Sequence, residues 1–190
     1  MPKLLLHTLY LLIILLFLPG KPINAQTNTA YTSGNTILAT LEGITKPFVF
    51  TSDQLLVQYN QNTRKLECIL NVATLLPVSD TAAPPAMAYE VLYGAKYPEL
   101  YFEIDMSSDQ VSSPNLDRES ILLPAKIRLQ GVANETVIPV IISPDKQSLL
   151  FSTNFDLWLD SFQAIIPVKY TPLLTGRLFI TIRSARWANL

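Results

Sequence analysis

Histidine and cysteine are almost missing from this chain of 190 residues, with one of each. The histidine, His7, falls in an N-terminal stretch that reads as removable, so the mature chain has no imidazole. That excludes a Ser-His-Asp or Cys-His mechanism and the imidazole-rich zinc and iron sites common among metalloenzymes. A single cysteine, Cys68, excludes an intramolecular disulfide. Leu66, Cys68, Leu70 and Val72 share one apolar face while Lys65, Glu67 and Asn71 mark the other, which predicts a buried structural thiol. Clustered positive charge is also lacking. A nucleic-acid surface depends on such clusters, so no nucleic-acid partner is expected.

Residues 1–25 read as a signal peptide. Lys3 supplies a positive start, Leu4 to Leu18 is an almost unbroken apolar run, Pro19 and Gly20 break the helix, and Ala25 offers a small residue before Gln26. A run of fifteen residues falls short of the roughly 20 a membrane-spanning helix needs, so no stable span is expected after cleavage. No cysteine stands near the cleavage point for a lipid anchor. The expected destination is extracytoplasmic, either periplasmic or secreted. Loss of Lys3 and Lys21 leaves 165 residues with 12 basic against 15 acidic side chains, a net of −3 with the signs interspersed. That length suits one domain with its own core.

Within the mature chain, apolar and polar residues alternate with a period of two. Leu100, Phe102, Ile104 and Met106 oppose Tyr101, Glu103, Asp105 and Ser107; Ala125, Ile127 and Leu129 oppose Lys126, Arg128 and Gln130. The rhythm returns at Leu149 to Leu157 and at Leu178 to Ile182. Such segments are half-buried strands. With no long amphipathic helix between them, they predict an all-β, antiparallel sheet of roughly eight strands closed around its oily side. Residues 26–35, polar and small, read as a flexible N-terminal segment, and residues 36–190 as a single domain. Further strands are expected over Thr36 to Gly43, Pro47 to Thr51, Leu55 to Tyr59 and Lys65 to Ala73, with a turn at Asn60-Gln61-Asn62-Thr63. Pro85 and Gly94 bracket a short helix near residues 86–93, a lid or plug. Turns are expected at Gly131 to Asn134 and Pro144 to Gln147, with the last strand at Arg177 to Arg186.

Acidic pairs at Glu103/Asp105 and Asp156/Asp160 lack the spacing of a calcium loop and read as solvated surface charge. Ser33-Gly34 and Asp160-Ser161 lack a nucleophile-elbow setting. Asn134-Glu135-Thr136 matches a glycosylation pattern and supports a surface turn. No enzyme, metal or cofactor is implied. What remains is the set of inward apolar positions: Leu70, Leu100, Phe102, Ile104, Ile127, Leu129, Phe151, Phe155, Leu157 and Ile180. An eight-stranded barrel can be filled by such side chains or can hold one small ligand, and periodicity leaves both open.

Three segments resemble the YceI-like family of exported bacterial proteins. They are AYEVLYGAKYPELYFEI at Ala88 to Ile104, LPAKIRLQGVANETVIPVII at Leu123 to Ile142 and LLFSTNFDLWLDSFQAIIP at Leu149 to Pro167. The family's early aspartate and histidine-serine pair are absent. The resemblance implies a lipocalin-like barrel that binds polyisoprenoid or other amphiphilic lipid without catalysis, and makes the ten inward residues candidates for lining the ligand. Tyr93, Tyr97, Tyr101 and Arg128 are then candidates for a headgroup contact at the mouth. An exported structural or protein-interaction module with a filled core is the alternative.

Overall fold

The computed structural model describes residues 31–78, 83–112, 119–145 and 148–188. The expected signal peptide lies outside the described residues. Strands run β1 (Thr32–Gly43), β2 (Phe48–Asn60), β3 (Lys65–Asn71), β4 (Leu76–Pro77), β5 (Glu99–Asp105), β6 (Ile121–Leu129), β7 (Val132–Asp145), β8 (Ser148–Trp158) and β9 (Leu174–Ala188). Two short helices interrupt them, α1 (Met87–Val91) and α2 (Ser108–Ser112).

Every strand pairing is antiparallel, and β1 bonds to both β2 and β9. That double pairing closes eight strands into a barrel. The two-residue β4 is a satellite on Phe50 and Thr51 of β2. Closure removes the exposed sheet edges that an open sheet would present to other chains.

Alternation fixes which way each strand faces. Leu100, Phe102, Ile104, Ala125, Ile127, Leu129, Leu178, Ile180 and Ile182 are all buried, whereas Asp105, Asn154 and Asp156 on the opposite faces are exposed. The buried apolar side chains form one continuous cluster in the interior. At roughly 1.5–3 kcal/mol for each large apolar side chain buried, this interior outweighs the surface ion pairs, each worth about 0–1 kcal/mol. A barrel apolar inside and polar outside is the inverse of the membrane-spanning kind. Among the described residues no helix is long and apolar enough to cross a membrane.

Several boundaries differ from the sequence reading. Pairing starts at Thr32, with Thr32 opposite Val57 and Asn35 opposite Leu55, so residues 32–35 belong to the sheet and not to a flexible segment. The two strands expected before Asn60 are one long β2. The β6–β7 turn is the two-residue Gln130-Gly131, with φ of 50° and 81°, the geometry that suits a tight hairpin. Asn134 consequently lies in β7, where its side-chain amide donates to the Ser161 carbonyl at 2.8 Å, and not in a turn.

The plug forms where expected. Met87, Ala88, Val91 and Leu92 are buried against one end of the barrel. The Gln130 side-chain amide donates to the Val91 carbonyl at 2.9 Å, so the β6–β7 turn satisfies a helix-end acceptor that would otherwise be orphaned.

Candidate functional site

The ten inward candidates come from five strands and meet inside the barrel. All are buried, from fully inaccessible Leu70, Phe102, Ile104 and Ile180 to Phe155 at 8% exposure. They belong to the same cluster. The rings of Phe102 on β5 and Phe155 on β8 meet edge to face with centroids 5.8 Å apart. Two strands separate β5 from β8 along the shorter arc of the barrel, so this contact is a chord across the interior. Cys68, between Leu66 and Leu70, is fully buried as expected, and burial pushes its thiol well above the ordinary value.

The headgroup candidates lie outside. Tyr101 and Arg128 are cross-strand partners on the outer face, with the guanidinium 5.0 Å from the ring centroid. The Tyr101 hydroxyl donates to Glu103 at 3.0 Å. Neither side chain reaches the interior, which corrects the expectation of a contact at the mouth. Tyr93 and Tyr97 pack edge to face at 5.9 Å over an outer pocket of about 540 Å³ beside the plugged end.

That pocket was missed by sequence reasoning. Gln130, Val132, Phe162 and Gln163 line it together with the two tyrosines, and Lys96 lies 5.1 Å from the Tyr97 ring centroid. Three of its residues, Tyr93, Gln130 and Gln163, have φ between 50° and 55°, a region that non-glycine residues seldom adopt. Gly94 and Gly131 were the legible signals beside it. None of the ten inward candidates lines this pocket or the smaller one of about 400 Å³ on the outer face of β6 and β7.

Several charged groups pair on the outside. Lys65 bridges Glu103 and reaches Asp105 at 3.6 Å. Burial alone would raise the Glu103 carboxyl, yet hydrogen bonds from Lys65 and Tyr101 prevail and hold it below its usual value. Tyr31 donates to Glu67 at 3.0 Å; partial burial, with that carboxylate beside it, pushes its phenol up to about 12. Asp156 pairs with Arg177 at 2.7 Å. Among the described residues no group of three His, Cys, Asp or Glu side chains converges for a metal.

No family profile and no curated protein matches the sequence. Solved structures do match. One is a polyisoprenoid-binding domain from Saccharophagus degradans implicated in plant cell wall breakdown, with a TM-score of 0.67 at 8% identity over 84% of this chain and 97% of that one. Another is BcnA from Burkholderia cenocepacia, with a TM-score of 0.57 at 11% identity over 80% and 96%. At such identities the likeness is one of fold, and the fold is the closed antiparallel barrel that the sequence resemblance implied.

Proposed function

We propose that this protein is a non-enzymatic, extracytoplasmic carrier that encloses an isoprenoid or other apolar tail inside its barrel. One observation carries the reading: ten side chains from five strands, all apolar and all buried, converge within a closed barrel. The likeness in fold to a polyisoprenoid-binding domain supports it. Burial of each methylene contributes roughly 0.8 kcal/mol, so a tail of about ten carbons gains on the order of 8 kcal/mol before association costs. Micromolar affinity needs no charged anchor. The expected result is stoichiometric uptake of quinone and fatty-acid probes by the delipidated mature protein, competed by unlabelled isoprenoid. No uptake of either probe would count decisively against carriage.

The filled-barrel alternative has its own support in the Phe102–Phe155 chord, which occupies part of the interior. The two readings separate on one substitution. Phe155→Ala removes the chord, and in a carrier it leaves uptake intact or improves it for bulkier tails; in a solid barrel it only destabilises, by about 3–5 kcal/mol.

A further inference from the structure

We propose that the indole N–H of Trp187 is the polar anchor inside the barrel, and that the enclosed molecule therefore carries a neutral hydrogen-bond-accepting oxygen. The inference rests on the carrier reading and specifies its ligand class.

Trp187 reaches the interior through an irregularity in β9. The register between β8 and β9 shifts between Phe151 and Thr153, and Arg183 and Ser184 are consecutively exposed. Alternation then resumes one step later, returning Ala185 and Trp187 to the inside, both at 0% exposure. A bulge that re-aims side chains is a common device next to functional sites.

The Trp187 Nε1 is buried and has no hydrogen-bond partner among the described residues. The other buried polar side chains do have partners. Asn35 bonds to the Thr32 and Arg186 carbonyls and accepts from the Arg186 amide; Ser52 pairs with Thr74; Thr153 donates to the Pro139 carbonyl; the Tyr59 hydroxyl donates to the Met106 carbonyl. An unmet buried donor is costly and native proteins rarely keep one, whereas a phenylalanine would be apolar throughout and bring no such donor.

The immediate surroundings are apolar. Trp187 lies opposite Leu149 in register, and its ring meets that of Phe151 at a centroid distance of 6.0 Å. A bound molecule then supplies the acceptor for the indole. A phosphate or carboxylate is disfavoured, because the nearby Arg186 is exposed and bonded to Asp145 at 2.6 Å, leaving an entering anion without a counter-charge from it. A hydroxyl or carbonyl oxygen on an apolar chain fits.

Three probes with the same tail test this: farnesol, farnesene and farnesyl phosphate. The chain has two tryptophans, so Trp158→Phe, at a half-exposed outer position, leaves Trp187 as the sole indole resonance in a ¹⁵N-labelled sample. Farnesol is expected to move that resonance downfield and farnesene to bind without doing so, with farnesyl phosphate the weakest of the three. In Trp187→Phe the farnesol-to-farnesene affinity ratio is expected to fall about tenfold. An unshifted resonance with bound farnesol, or an unchanged ratio in the variant, overturns the inference and leaves carriage standing. Binding of no probe overturns carriage, and this inference with it. The resonance reads the wild-type Trp187, so the inference stays testable if Trp187→Phe fails to fold.

Discussion

Glu103 illustrates how far a single residue on this barrel's outside can be read from the sequence. Alternation put it on the wet face, and it is there, but it is no freely solvated charge: its side chain is 16% exposed beneath Lys65 and Tyr101. The difference arises because alternation specifies a face and says nothing of cross-strand neighbours. Glu103 lies opposite Lys126 on β6 and Glu67 on β3, and Lys65 reaches over from two residues away on β3. The two hydrogen bonds hold the Glu103 carboxyl below its ordinary value of 4.5. A group whose pKa is lowered by folding stabilises above its unfolded value and loses that contribution as pH falls through the folded one. Glu103→Gln is therefore expected to lose about 1 kcal/mol at pH 7 and progressively less as pH falls below 4.5 toward 3. Urea midpoints of both proteins at the two pH values check it; an equal difference at both would point to lost packing and not lost charge. Trp187 is the residue the sequence hid most completely. Its period-two position is outward if counted from Ile182, and only the bulge turns it inward.

At the scale of elements, the strands that read clearly are those with one oily face and one wet one, β5, β6, β8 and β9. The plug was legible from Pro85 and Gly94, which bound it as helix punctuation does. What sequence concealed is the seam. Thr32-Ser33-Gly34-Asn35 has the composition of a linker, yet it closes the barrel through main-chain bonds that composition does not report. The pairing of β1 with β9 runs from Gly43 to Leu38, and beyond it the Asn35 side chain takes over, donating to the Arg186 carbonyl at 3.1 Å and accepting from its amide at 2.7 Å. Asn35→Ala removes both bonds to Arg186, and a third to the Thr32 carbonyl, and leaves part-buried backbone groups unmet. The expected loss is about 1–3 kcal/mol, with faster hydrogen exchange at the Arg186 amide before exchange rises elsewhere. Unchanged exchange at Arg186 would mean that the seam is held by the strands alone.

The whole molecule is a closed surface with its apolar side turned in, a property that local pattern predicts well because every strand contributes the same alternation. The ten inward candidates were legible for that reason, each a simple consequence of parity. Whether side chains meet across the middle is set by partners far apart in the chain, as with Phe102 and Phe155, 53 positions apart in sequence and in ring contact. The outer pocket at Tyr93, Gln130 and Gln163 belongs to the same category: three loops supply it, and no one of them announces it. Enclosure of an apolar molecule is the claim on which the functional reading depends. Purification of the mature protein from an exporting host, followed by solvent extraction and mass spectrometry, measures it directly. Carriage predicts about one equivalent of a single lipid class per chain; a lipid-free extract from folded protein that also takes up no added isoprenoid would contradict it.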